Sequence, residues 1–353
     1  MDKVLLSNLL DTNSPSGREQ EIVTIIKDYF NEIADVSSDT LGNVYAAKEV
    51  SGALKVMLIA HCDEIGFQVA DIDENGFIAI RNLGGFDKPM IPGSQVTILN
   101  EKKHVLGIVS KLPIHVIFSE KEQKIIDYND IWIDIGVCSK EEALSHVSIG
   151  DYIALRSNFQ YMDNNNRIVS KALDNKVGVF VMMEAFAKLS ELNLPISLVA
   201  VASTQEELGC RGCVIATEKV KPDIAIVLDV GIATDIPHKV NPQFGNLMLG
   251  RGPGININPS NNARLTDILR DVAIKNNIPH QMTIGYHAVK GTENSQVQLV
   301  GTGVASALIS IPIRNMHTPC EICDMSDIQN SIDLLIKAVC SLTNHNVSDF
   351  DLF

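Results

Sequence analysis

The sequence predicts an α/β protein with a mostly parallel sheet and flanking helices, interrupted by an inserted small β domain. Three observations predict it. Short continuous apolar runs such as "KVMLIA" (55–60) and "ISLVAVA" (196–202) read as strands buried on both faces. These runs alternate with segments of helical periodicity, the pattern of a parallel sheet covered by helices. From about residue 66 to 164 the texture changes to short alternating segments broken by turn residues. The expected organisation is therefore a discontinuous α/β domain of residues 1–65 and 165–353, with residues 66–164 as the insert.

The elements follow in order. The first 60 residues read as helix, strand, helix and strand, with Ser14 or Ser16 as a cap for a helix through "REQEIVTIIKDYFNEI". In the insert, "FQVADIDENGFIAIRNL" reads as a hairpin about Asn75 and Gly76, and "QVTILNEKKHVLGIVS" as another. "DIWIDIG" and "DYIALRSNF" read as further strands, with "SKEEALSHV" as a helix between them. After residue 170, "NKVGVFVMMEAFAKLSEL" is helical, "ISLVAVAS" and "DIAIVLDV" are strands, and "LTDILRDVAIKNNI" is a helix. "VASALISIPIR" is a last strand before the helix of "DIQNSIDLLIKAVCSLTNH".

Composition narrows the function. With 353 residues, 45% hydrophobic and 5% aromatic, the chain is an ordinary globular one of about two domains. Its 43 acidic residues against 29 basic give a charge of -14, which opposes binding to nucleic acid or to anionic membrane surfaces. No apolar stretch approaches the roughly 20 residues a membrane span needs, and the start lacks a signal-peptide pattern, so a cytoplasmic location is expected. Seven cysteines, an odd number, do not read as a disulfide framework. Four of them form "CRGC" (210–213) and "CEIC" (320–323), spacings compatible with a four-cysteine zinc site, although small buried hydrophobes are the simpler reading. Thiol oxidation near a functional centre is a third reading of this clustering.

The chemistry gathers at strand ends. "KVMLIA" runs into His61 and Asp63, "ISLVAVAS" into Glu206 and Glu207, "DIAIVL" into Asp229, and "VASALISIPIR" into His317. Ligands bind open α/β sheets in the crevice outside the carboxyl ends of the strands. Any one such residue usually caps a helix or lies in a solvated loop, but four strands ending this way converge on one place. His61 and Asp63, two apart, face the same side of an extended segment, so Asp63 is placed to accept the second N–H of a metal-bound imidazole. Glu206 and Glu207, being adjacent, would point opposite ways on an extended chain and so take different roles. Asp174 begins a helix, where capping is the ordinary role of an aspartate.

The motifs "AHCDEIGF", "KALDNKVG", "TQEELGCRG", "LDVG" followed by "TDIP", and "ISIPIRNMHTPCE" resemble, in order and register, those of the M42 family of metallo-aminopeptidases. "LGGF" and "WIDIGVCSKEEA" extend the likeness into the insert. The resemblance implies a zinc peptidase-like catalytic domain with a PDZ-like or barrel module used for subunit contacts. It implies two divalent ions, zinc or cobalt, with His61 and Asp229 on one, Glu207 and His317 on the other, and Asp174 bridging. It makes Glu206 the general base, peptides the substrate, and a cis peptide between Asp174 and Asn175 expected. It also implies self-association, with a tetrahedral twelve-subunit particle as the leading expectation. Two departures bear on specificity: "NMHT" stands where the family often has tyrosine before the methionine, and Glu293 in "KGTENSQ" replaces a common aspartate. The alternatives are a non-catalytic oligomeric scaffold of the same fold, or a metallohydrolase with another substrate, since some family members carry an endoglucanase label.

Overall fold

A computed structural model of the chain describes residues 1–116, 127–163, 166–238, 240–285 and 291–351. The chain opens with helices α1 (Lys3–Asp11) and α2 (Gln20–Asn31), then strands β1 (Asp35–Ser38), β2 (Val44–Lys48) and β3 (Lys55–His61). Next come β4 (Gly66–Ile72), β5 (Ile78–Leu83), β6 (Gln95–Leu99), β7 (His104–Lys111), β8 (Ile131–Asp134), helix α3 (Lys140–His146) and β9 (Tyr152–Leu155). The chain then returns through β10 (Gln160–Tyr161), β11 (Arg167–Ser170), α4 (Leu173–Ser190), β12 (Ser197–Ser203), α5 (Arg211–Val220), β13 (Ile224–Ile232) and β14 (Gly254–Asn256). It ends with α6 (Ala263–Lys275), β15 (Gln281–Thr283), α7 (Asn294–Val297), β16 (Ala305–Arg314), β17 (Glu321–Asp324) and α8 (Met325–Leu342).

Two β structures result. The larger sheet runs in the order β1-β2-β12-β3-β13-β16-β17-β11-β10, with β14 and β15 joined beside β16. Its four central strands, β12, β3, β13 and β16, are parallel. The strands on either side, β2 with β1 and β17 with β11 and β10, pair antiparallel, so the expected parallel order is a property of the centre. The reason is connection length: β1 and β2 meet through a tight turn after Ser38, which only an antiparallel pair allows.

The pleat of β3 sends Val56, Leu58 and Ala60 to one face and Met57 and Ile59 to the other. The first face packs against α1, α2, α4, α6 and α8, the second against α5 and α7. All seven residues of β12 are buried, as the unbroken run "SLVAVAS" requires of a central strand.

The insert closes on itself. Strands β4-β5-β8-β7-β6-β9 form a barrel around Phe67, Val69, Ile78, Val96, Ile98, Val109, Ile133 and Ile153. Both expected hairpins form, β4 with β5 and β6 with β7, the first turning at Gly76 with φ +90°. α3 opens on Ser139, whose side chain accepts the N–H of Glu142.

One local expectation differs. α2 starts at Gln20 with Glu19 at the cap position, so Ser14 and Ser16 lie too far before the helix to cap it, and their backbones are tied to the segment after β3 instead. The Ser14 N–H donates to Glu64 Oε1 at 2.7 Å, and the Ser16 N–H donates to the Glu64 carbonyl at 3.0 Å. The loop before α2 is thereby laced to the segment that follows β3. Among the described residues, no helix is long and apolar enough to cross a membrane.

Candidate metal centre and catalytic site

Because the four central strands are parallel, their carboxyl ends lie along one side of the sheet, and each delivers a candidate site residue there. His61 is the last residue of β3, Asp229 lies near the end of β13, Glu206 and Glu207 follow β12, and His317 follows β16. They surround a cavity of about 630 Å³, whose lining includes His61, Asp174, Glu206, Glu207, Asp229 and His317.

Asp174 sits between two histidines. Its Oδ1 is 3.3 Å from His61 Nε2, and its Oδ2 is 3.2 Å from His317 Nε2. His61 Nε2 is also 3.6 Å from Asp229 Oδ1, and His317 Nε2 is 3.3 Å from Glu207 Oε1. Two groups able to hold a cation result, His61–Asp174–Asp229 and Asp174–Glu207–His317, sharing Asp174. Asp174 does not cap α4: the cap position is Ala172, with no side-chain bond, and Asp174 and Asn175 have non-helical torsions. The Asp174–Asn175 peptide is cis.

Asp63 stands behind His61, with Oδ1 3.4 Å from Nδ1. It does more than the two-residue spacing indicates. Its Oδ1 accepts the Glu206 N–H at 2.9 Å and its Oδ2 the Glu207 N–H at 3.1 Å, so one carboxylate sets both the imidazole and the loop after β12. That loop is a turn, with Gln205 at φ +57° and the N–H groups of Gly209 and Cys210 donating to the Glu206 carbonyl. The two glutamates are therefore not on opposite sides of an extended chain. Both reach the cavity, Glu206 with Oε2 4.0 Å from His61 Nε2 and Glu207 beside His317.

The electrostatics follow from crowding. Burial pushes Glu206 well above the ordinary carboxylate range, with nearby His61 opposing and Glu207 and Asp229 reinforcing the shift. Burial likewise raises Glu207 and Asp229. Burial works to lower His317, but the carboxylates of Asp174 and Glu207 outweigh it and push the imidazole up to about 12. His61 is raised in the same way, against its burial, by Asp174, Asp229 and Asp63. Four carboxylates and two imidazoles line the cavity, with no lysine or arginine among its described lining residues. A buried donor set so rich in oxygen and imidazole, with so little compensating charge, suits divalent cations.

Residues without an assigned role complete the site. Glu321, buried, accepts the Asp174 N–H at 3.0 Å on Oε2 and the His317 N–H at 2.8 Å on Oε1. Glu64 accepts Lys171 Nζ at 2.7 and 2.8 Å, and Lys176 Nζ lies 3.5 Å from it, a buried knot beneath the loop carrying Asp174. Glu321 ends the quoted "HTPCE", four residues after His317; that spacing is the only signal, and it names no role.

The specificity departures and the cysteines also find places. Met316 of "NMHT" lines the cavity. Glu293 is not among its lining residues: it is fully buried, accepts the Ser203 hydroxyl, and burial raises it to about 7. Lys290, which opens "KGTENSQ", lies outside the described residues. The two C-x-x-C pairs do not form a metal site: Cys213 packs on the α5 face of the sheet and Cys323 on the opposite face, so the sheet separates them. Burial pushes the thiols of Cys62, Cys210, Cys213 and Cys323 up, which disfavours the reactive thiolate.

A parallel sheet whose strand ends gather two histidine–carboxylate groups around one cavity forms a pocket with two places able to hold a cation. Comparison with known proteins gives the family. The family model of M42 glutamyl aminopeptidase matches residues 42–334. The lysyl aminopeptidase of Pyrococcus furiosus is 33% identical over 341 residues, covering 95% of each chain. Among solved structures, a TET aminopeptidase from Thaumarchaeota archaeon SCGC AB-539-E09 superposes with a TM-score of 0.94 at 31% identity, covering 99% of this chain and 98% of that one. The TET1 peptidase of Pyrococcus horikoshii, described as able to assemble into a tetrahedron or a large octahedral shell, gives 0.85 at 26% identity over 96% and 98%. The chain belongs to the M42 peptidase family, and it is an enzyme of the aminopeptidase type.

Proposed function

We propose that this protein removes N-terminal residues from peptides with two divalent ions, zinc or cobalt, held by His61 and Asp229 on one side and Glu207 and His317 on the other, with Asp174 shared. The observation that carries the reading is Asp174, whose two oxygens each face a different histidine at 3.3 and 3.2 Å. When bound, such ions polarise a peptide carbonyl and make water nucleophilic near neutral pH.

The chain's own residues do the rest. Glu206, on the cavity wall and bound to no imidazole as closely as Glu207 is, accepts the proton of the attacking water and passes it to the leaving amine. Asp63 fixes the His61 ring and, through two backbone N–H groups, the positions of both glutamates. His61, Asp63, Asp174 and Asp229 are buried, and the low dielectric around them strengthens these interactions.

The test is Glu206→Gln, assayed on a panel of aminoacyl anilides together with metal analysis. The change removes the base and leaves every ligand, so activity should fall by about 10²- to 10⁴-fold with metal content unchanged. A variant that kept its rate would remove Glu206 from its role.

The same reading extends to assembly. The described relative that forms a tetrahedron shares 96% of this chain's length, and we propose a homo-oligomer, a tetrahedral dodecamer, with the barrel of β4 to β9 at subunit contacts. Light scattering that gave a monomeric mass at micromolar concentration would refute it.

A further inference from the structure

The two proposed metal-binding groups do not rest on the same supports. His61 is the last residue of β3 and Asp229 belongs to β13, so their backbones are fixed by the parallel ladder. Asp174 and His317 lie outside any strand. Asp174 has non-helical torsions at the head of α4, and His317 stands three residues beyond β16 with φ +61°, a left-handed conformation that a residue with a Cβ seldom adopts. Such a backbone persists only where its surroundings fix it.

One side chain supplies that support to both. Glu321 spans the gap between the two segments, Oε2 receiving the Asp174 N–H at 3.0 Å and Oε1 the His317 N–H at 2.8 Å. Glu321 is 1% exposed and lies at the start of β17, which pairs with both β11 and β16. Its carboxylate takes no place in either ligand group.

We infer that Glu321 is a positioning residue that sets the relative placement of Asp174 and His317, and so governs the affinity of the Asp174–Glu207–His317 group for its cation. This rests on the two-ion reading of the site. The span needs two acceptor oxygens on one planar group. Glutamine has one oxygen, and its amide N–H would face the second backbone N–H donor to donor. The His61–Asp229 side keeps two ligands anchored in strands, so it is the less affected.

The experiment is a cobalt(II) titration of metal-free wild type, Glu321→Gln and Glu321→Asp, followed by visible absorption and equilibrium dialysis, with Glu206→Gln alongside. Wild type should take up two equivalents. In Glu321→Gln the second should bind about 10- to 100-fold more weakly, and the first, which shares only Asp174 with it, should be weakened clearly less. Glu321→Asp keeps both oxygens on a shorter arm that cannot reach both N–H groups, so it should show the same selective weakening if the glutamine variant does not fold. Two equivalents bound by the variants as tightly as by wild type would overturn the inference alone. Equal weakening of both equivalents would overturn it too, since Glu321 would then serve the fold in general. A wild type that binds a single equivalent would overturn the two-ion reading and this inference together. Full activity in Glu206→Gln would count against the proposed base only.

Discussion

The sheet and the barrel are built from the same material, buried aliphatic strands, and they end differently. In the sheet, β12, β3, β13 and β16 run parallel, so four carboxyl ends fall on one side and bring His61, Glu206, Glu207, Asp229 and His317 around one cavity. In the barrel every pairing is antiparallel, so successive strand ends alternate between two rims. Among the described residues, no cation-binding group of side chains lies in the barrel. Parallel order collects chemistry on one edge, and antiparallel closure spreads it between two rims while leaving no open strand edge.

The strongest way to break this contrast is at Asp174, the one side chain common to the two groups able to hold a cation. Asp174→Ala should lower kcat/KM by about 10⁴-fold, equivalent to roughly 5.5 kcal/mol, and abolish tight metal binding. The barrel should not register the change. Trp132, the single tryptophan, lies in β8, so its fluorescence reports on the barrel and should match wild type. An altered Trp132 signal would show that the two units are not separable in this way.

The converse substitution acts on the other core. Ile133 is fully buried inside the barrel, and Ile133→Ala should cost about 2 to 5 kcal/mol of stability, measured by denaturant unfolding. The folded fraction should keep wild-type kcat, because none of the site's ligands rests on that core.

A third test separates the two units by pH. Asp327, in α8, accepts the N–H groups of Gly250 and Gly252, and burial raises it from 3.8 to about 6. The folded state then holds a proton that the unfolded chain has released between about pH 4 and 6. Stability from this group is therefore complete at low pH and declines as pH rises through that window. Asp327→Asn removes the titration, so wild type minus variant stability should fall by about 2 to 3 kcal/mol from pH 4 to pH 6 and stay level above. A flat difference would show that Asp327 does not titrate there.

The contrast also explains what the sequence made legible. His61 and Asp229 stood out as candidates because each directly follows an unbroken apolar run, and His317 because it comes three residues after the strand that ends at Arg314; a strand end is visible in a single sequence. The barrel's hairpins were visible for a similar local reason, Asn75-Gly76 being a turn signal between alternating segments. What stayed hidden runs through backbone N–H groups, which are alike at every residue. Nothing in "HTPCE" shows that Glu321 receives the N–H of Asp174, 147 positions away, and nothing in "AHCD" shows that Asp63 receives those of Glu206 and Glu207. The direction of the glutamate pair was hidden too, since it depends on Gln205 entering the left-handed region at φ +57°. Asp174 shows the limit most sharply: at a helix start an aspartate reads as a cap, and only the third dimension puts it between two histidines.

The smallest effect is expected where the two units meet. The loop after β5, "LGGF", brings the barrel against the site: a Cβ on Gly84 would lie 3.0 Å from Glu207 Oε2 and 2.7 Å from Ile65 Cγ2, and a Cβ on Gly85 would lie 3.5 Å from His317 Nδ1. Gly84 also has φ +85°, so Gly84→Ala carries backbone strain as well as the close approach. Gly93 separates the two causes, having φ +93° with nothing within 4 Å of its Cβ position. Both alanine variants should lose about 1 to 2 kcal/mol of stability from the torsion. Only Gly84→Ala should also displace the Glu207 carboxylate, lowering kcat/KM about tenfold, or roughly 1.4 kcal/mol, while Gly93→Ala keeps the wild-type value. Equal activity in the two would mean that the barrel touches the site without setting its geometry, and the separation of the two units would then be complete.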